Sequence, residues 1–371
     1  MVLDRIFVFK AINIGVLLAA VASCLFISFR AQGQFAGNTF FIAPTINEGR
    51  YFFSLNDIEE FRVKTNADRV AFKNLSTSGV SALNISVHSR VVQTNSDYFE
   101  LNNVSFSSGG GWLLSMENDN VAVINESLAY KLFGSLDVVD MNLAISDKTY
   151  TIIGVIQHGD VSQVNPTVYI PLNPEYEDKV ISSIYAQFVS YDFLTTHNAI
   201  SNYLSDTGRN NRDYYILSLC RYVENIELKS RLLLFILGVY AMVIIVINCI
   251  KLLRGNPLNK KTLLKFAVLL PLIALGVVIL IRTISFEFWI PHGSGSRIND
   301  IVATITNNGV LPSNEYLGYG LQTLVRLNSY ANITLIVGCV ALLNFVFVHK
   351  ASYVLVSAKP LFKSNTNKPK E

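Results

Sequence analysis

The sequence predicts an α-helical membrane protein with four transmembrane helices, one near its start and three near its end. A large extracytoplasmic α+β domain lies between the first and second helix. Three observations predict this class: the placement of four charge-free apolar runs, the one-sidedness of the basic residues, and the strand and helix signals in the polar middle. A hydrocarbon core about 30 Å thick needs roughly 20 apolar helical residues to cross it. Ala11 to Phe29 is uncharged between Lys10 and Arg30, and Leu232 to Ile250 is uncharged between Arg231 and Lys251. Phe266 to Ile281 is shorter, but Arg282 can snorkel to the interface and let the span run over 266–284 towards Trp289. Leu327 to Val348 is uncharged between Arg326 and His349.

Charge then orients the spans. Residues 1–10 carry Arg5 and Lys10 against Asp4, and the tail 349–371 carries five lysines against Glu371. The link 251–265 carries Lys251, Arg254, Lys260, Lys261 and Lys265 with no acid. These three segments together hold twelve basic and two acidic residues, a net of +10, and the remainder of the chain is then at −7 within a total of +3. Both termini and the link are therefore expected in the cytoplasm, with residues 30–231 and 285–326 outside, in a multi-pass membrane protein. The basic charge sits beside membrane spans, where anionic lipid headgroups are its natural partner and nucleic acid is not. The first apolar run is longer than a signal-peptide core and is followed only by a weak small-residue site, so it reads as an uncleaved anchor. Of Cys24, Cys220, Cys249 and Cys339, only Cys220 lies in the exported domain, which excludes a disulfide within that domain.

Within the exported domain, Ser54 with Asp57 three residues on forms a capping-box pattern opening a helix over Leu55 to Val63. Leu55, Ile58 and Phe61 share the face that would meet a core, while Asp57, Glu59 and Glu60 read as a solvated face. Arg69 to Lys73 reads as a short strand, and Asn84 to Thr94 alternates as a half-buried strand does. Strands follow at Val121 to Ile124, Asn142 to Ile145, Thr149 to Ile156 and Thr167 to Leu172, with a short helix from Glu126 to Leu132 ended by Gly134. The last elements are a strand at Ile184 to Val189, a helix at Thr195 to Leu204 and a strand at Tyr214 to Leu219. Strand, helix, strand at both ends with a strand-rich middle predicts an α/β subdomain interrupted by a β-rich one at about 100–175.

The run from Val121 to Leu172 resembles the periplasmic core domain of MacB/FtsX-type ABC transporter permeases. Four motifs carry the resemblance: Val123-Ile124-Asn125-Glu126, Phe133-Gly134, the strand Tyr150 to Val155 with Ile153-Gly154-Val155, and Tyr169-Ile170-Pro171-Leu172. Residues 91–103 (VVQTNSDYFELNN) and 55–61 (LNDIEEF) resemble the family as well, and the one-plus-three order of spans matches it. The resemblance implies a dimer, formed with a second copy or a paralogue, and an exported domain made of a porter-like α/β subdomain and a β-rich insert. It also implies a separate cytoplasmic ABC ATPase whose motion the helices pass outward, and an exported partner, adaptor or substrate, drawn from peptides, lipids or proteins. The five basic residues of the link are the expected contact with the ATPase. Two departures stand out. Asp140 occupies a turn position where the family usually has glycine, which predicts a turn built differently. The link, with Gly255 and Pro257, shows no Arg-Glu-Ile-Gly-type docking helix, which leaves a second reading: a non-transporting scaffold or sensor that retains the exported domain.

No catalytic, cofactor or metal site is expected. There is no Gly-x-x-x-x-Gly-Lys-Ser/Thr run to hold a nucleotide, so any ATP hydrolysis falls to another subunit. Gly109-Gly110-Gly111 reads as a turn, and none of the five histidines pairs with another His or Cys at ligand spacing. The four predicted spans hold no Asp or Glu, which argues against a proton- or sodium-coupled carrier. Their glycines, Gly238, Gly276 and Gly338, read as close-packing points.

Overall fold

The computed structural model of the chain describes residues 2–32, 38–45, 48, 51–157, 165–172, 181–189, 193–255 and 319–363. The chain divides into two compact units, one containing the sheet and one containing the long helices.

The sheet unit starts from a simple alternation. Strands β1 (Asn38–Pro44) and β2 (Arg69–Ala82) flank helix α2 (Leu55–Thr65). Near the other end of the domain, β9 (Ser183–Phe188) and β10 (Tyr214–Ser218) flank helix α5 (Phe193–Asp206). The four strands lie in the order β10-β1-β9-β2 and every pair is antiparallel. Two such strand–helix–strand units interleaved in this order make a ferredoxin-like layer. Phe40 and Ile42 of β1, Val70 and Phe72 of β2 and Ile184 of β9 meet Ile58 and Phe61 of α2 and Ile200 and Tyr203 of α5 in one core. Strand β1 is buried along its whole length, because Phe41 faces the opposite side of the sheet and packs on Tyr185 at 5.0 Å between ring centroids. There a short helix, α3 (Asp97–Leu101), supplies Tyr98 and Phe99, which gather Tyr169, Tyr185 and Trp112 into an aromatic layer.

The β-rich insert grows out of β2 itself. Its first residues, Arg69 to Lys73, pair with β9, and from Lys73 to Ala82 the strand pairs with β3 (Ile85–Thr94). The short strand expected at Arg69 to Lys73 is thus the first third of a 14-residue strand. The missed part, Asn74 to Ser81, is mostly Ser, Thr, Asn and Gly, so it lacks an apolar alternation; pairing to β3 makes it a strand. Strands β4 (Phe106–Gly109), β5 (Val121–Asn125), β6 (Asn142–Ile145), β7 (Lys148–Ile156) and β8 (Thr167–Pro171) complete the insert. Because β6 pairs with both β2 and β7, the path β2-β3-β8-β5-β7-β6 closes into a ring. A ring leaves its six members no free edge, and its wall packs around Ile124, Leu143, Ile152 and Val168 with Leu128 and Leu132 of α4 (Glu126–Phe133).

The helical unit holds α1 (Val2–Gln32), most of α6 (Leu219–Gly255) and most of α7 (Tyr319–Lys363). Ala11–Ala31 and Leu321–Phe347 are long and apolar enough to cross a membrane. The expected span Leu232 to Ile250 lies inside the continuous helix α6. The expected span 266–284 and residues 285–318 of the outer loop lie outside the described residues.

Candidate coupling site

Two places on the chain are candidates for contact with a partner or for transmission of motion: the basic link, and the strands that join the exported domain to helices. Lys251 and Arg254 fall at the end of α6. Basic residues at a helix C-terminus also complement its dipole, so their type alone does not distinguish docking from local stabilisation. Lys260, Lys261 and Lys265 lie outside the described residues.

At the other candidate the geometry is explicit. Strand β1 pairs antiparallel with β10, Phe40 opposite Ser218 and Pro44 opposite Tyr214. The beginning of β1 and the end of β10 therefore share one end of the sheet. Strand β10 stops at Ser218 and α6 starts at Leu219, with no linker between them.

A polar clasp holds β10 and the loop before it onto α2. Ser54 caps α2, its hydroxyl accepting from the Asp57 N–H at 3.2 Å while the Asp57 carboxylate accepts from the Ser54 N–H at 2.8 Å. The capping box expected from the sequence is present. Asp57 departs from the predicted solvated face, because Arg209 reaches back from the loop before β10 and donates to Asp57 Oδ2 at 2.7 Å, with both side chains largely buried. The guanidinium also lies over the Phe53 ring at 4.9 Å from its centroid. Burial alone would push the Asp57 carboxyl up, but the Ser54 hydrogen bonds and the Arg209 charge outweigh it and hold the group below the usual carboxylate range. The Tyr203 hydroxyl donates to the Asp57 carbonyl and the Tyr214 hydroxyl to the Tyr51 carbonyl. Burial raises both phenols. The capping half of this clasp is readable in sequence; Arg209, 152 residues further on, carries no local signal.

The motif residues behind the family resemblance have structural work in the insert. Asn125 is fully buried and caps α4: its Oδ1 accepts from the N–H groups of Leu128 and Thr167, and its Nδ2 donates to the Asn165 carbonyl. It therefore ties β5, α4 and β8 together. Glu126 accepts from the Ser107 hydroxyl. Gly134 ends α4 at φ +69, the left-handed cap that suits glycine. Gly154 sits against the Gly110 backbone, where an added Cβ would lie 2.2 Å from a carbonyl oxygen. Asp140 adopts φ 67 and its N–H donates to the Ile152 carbonyl, so an aspartate holds a left-handed position in this turn. Aspartate is among the residues that tolerate this region best.

The helical unit packs on small residues. Ala20 and Cys24 of α1 meet Leu233 of α6, with Leu237 and Leu335 alongside. Gly338 of α7 receives Leu233, whose methyl would lie 2.6 Å from an added Cβ, as expected of a close-packing point. Among the described residues no group of three or more His, Cys, Asp or Glu is placed to hold a metal.

The model of the MacB-like periplasmic core domain matches residues 11–196. No curated protein matches the chain. Among solved structures, the extracellular domain of the ABC-type transporter YknZ from Gram-positive bacteria is 17% identical, with 48% of this chain and 100% of that one covered and a TM-score of 0.41. The periplasmic region of MacB from Actinobacillus actinomycetemcomitans is 15% identical over 51% of this chain and 92% of that one, at a TM-score of 0.43. A domain of a permease protein from Porphyromonas gingivalis is 15% identical over 48% and 89%, at 0.34. Half of the sequence, from the first apolar helix through the whole ring of strands, fits one family model, and the chain belongs to the MacB/FtsX-like family of ABC transporter permeases that carry the MacB-like periplasmic core domain.

Proposed function

We propose that this chain is the membrane subunit of an ABC-type export or mechanotransmission complex in a bacterial inner membrane. It passes the motion of a separate cytoplasmic ATPase to an exported domain that handles peptide, lipid or protein cargo. The observation that supports this reading best is the direct passage of β10 into α6 beside β1, the strand that follows α1. In this reading a displacement of the helices is passed along the chain to the exported domain, so no channel through the membrane is required. The permease subunits of this family are generally not ATPases, and the family implies a partnering one. In this reading two copies, or this chain and a paralogue, assemble with the ATPase, and the ring of strands meets an adaptor or cargo outside. Lys251, Arg254, Lys260, Lys261 and Lys265 form the contact with the ATPase.

A second reading, a scaffold or sensor that retains the exported domain, is favoured by one observation: the link shows no Arg-Glu-Ile-Gly-type docking sequence. A gentle detergent pull-down of tagged protein separates the two, with co-purified ATPase activity measured beside the Lys260→Glu/Lys261→Glu variant. The transporter reading expects an ATPase with the wild type and its loss on charge reversal. If no ATPase accompanies the wild type, the scaffold reading replaces it.

A further inference from the structure

Helices α6 and α7 touch along a repeating seam. Leu233 packs on Gly338, and Tyr240 meets Phe345 edge-on at 6.1 Å between ring centroids. The two contacts are seven residues apart on both helices, so α6 and α7 run parallel and in a heptad-like register. Buried positions along α7 keep the same spacing: Asn328, Ala331, Gly338 and Leu342, with Leu335 packed between.

One pair breaks the apolar pattern. Lys229, four residues before Leu233, is 3% exposed, and its ammonium donates to Oδ1 of Asn328, which is 5% exposed. Asn328 lies ten residues before Gly338, so the lysine reaches along α7 by about six residues, or some 9 Å at the rise of a helix. A side chain stretched that far to one amide is placed for that amide. Among the apolar contacts of the seam, the seat of Leu233 on Gly338 depends on alignment, since one turn on Leu233 would meet Leu342 instead. The buried ammonium depends on alignment as well: shifted by a turn towards Leu324 it would leave the Asn328 amide that accepts from it. Buried polar residues in such seams specify alignment at a cost in stability.

We propose that the Lys229–Asn328 pair, acting with the seat of Leu233 on Gly338, sets the axial register of α6 against α7. This role stands apart from ATPase coupling, since it concerns only how two helices of the chain align. The opposing amide one turn on, Asn332, makes a one-turn shift the next polar alternative once Asn328 is removed.

Cross-linking of the full chain in native membranes tests the proposal, with all four cysteines replaced by serine. The in-register pair Tyr240→Cys/Phe345→Cys is compared with the one-turn-shifted pair Tyr240→Cys/His349→Cys, using a short thiol cross-linker. With Lys229 and Asn328 intact, the in-register pair should dominate. With Asn328→Leu or Lys229→Met, its yield should fall several-fold while the shifted pair gains. Asn328→Gln, which keeps the acceptor, should restore the original pattern. Where Asn328→Leu fails to accumulate, Lys229→Gln is read with the same two outcomes. An unchanged ratio in every variant overturns the proposal, and so does an in-register pair that fails to cross-link with Lys229 and Asn328 intact.

Discussion

The sheet unit and the helical unit solve opposite packing problems. In the sheet unit the largest side chains are inside: Phe40, Phe53, Phe61, Tyr98, Tyr185 and Tyr203 are almost fully buried. In the helical unit many large side chains are exposed, Leu18, Phe26 and Phe29 on α1 and Ile336 and Phe347 on α7, while Ala20, Cys24 and Gly338 seat the buried Leu233. Water rewards burial of apolar surface, so the sheet unit hides its aromatic groups. Lipid offers no such reward, because its tails are as apolar as leucine, and helices there associate through close approach of small residues. The difference teaches that the same residue type carries different information in the two units. A glycine is a backbone requirement in one and a packing surface in the other.

That comparison breaks most sharply at two glycines. Gly154 faces the Gly110 backbone, which cannot yield, whereas Gly338 faces the tip of Leu233, which can change rotamer. Gly154→Ala is expected to destabilise the chain by about 3 kcal/mol and to disrupt the β4–β7 pairing, while Gly338→Ala costs about 1 kcal/mol. Thermal unfolding of both variants in nanodiscs, alongside wild type, measures this, and equal effects would remove the distinction.

The clasp at Asp57 sharpens it by charge. In the sheet unit a largely buried ion pair fastens α2 to the loop before β10; in the helical unit the buried cation has an amide for its partner. Asp57→Asn should destabilise by about 2 kcal/mol at neutral pH, because it leaves Arg209 without its counter-charge. The folded-state pKa of Asp57 is depressed below its usual 3.8. Its contribution is therefore fully present above that value and is lost as pH falls through the lower folded value. The difference between wild type and Asp57→Asn should hold from pH 7 to about 5 and narrow below about 3.8. A constant difference down to pH 2 would show that charge is not its source.

The smallest effect is expected at the tip of the β2–β3 hairpin. Leu83 is 72% exposed and sits at φ 49, a conformation unfavourable for leucine, followed by Asn84 at φ 66. Leu83→Gly should raise stability by about 0.5–1 kcal/mol, since it relieves left-handed strain and gives up little burial. A loss of stability would mean that the leucine side chain is held in contact.

Much of this protein was legible in local patterns. The apolar runs mark α1 and α7 because a membrane demands length and hydropathy, and both are properties of consecutive residues. The caps of α2 and α4, Ser54-x-x-Asp57 and the closing Gly134, were readable because their hydrogen bonds span three or four residues. Strand β3, with its apolar alternation, was readable for the same reason. Tertiary structure decided the rest. The polar half of β2 is a strand only because β3 pairs with it, and β6 closes the ring only by touching both β2 and β7. Arg209 finds Asp57 across 152 residues, and Lys229 finds Asn328 across 99. Local sequence determines which hydrogen bonds a segment makes with itself; partners distant along the chain are chosen by the fold, where burial makes an unpaired polar group too costly to leave.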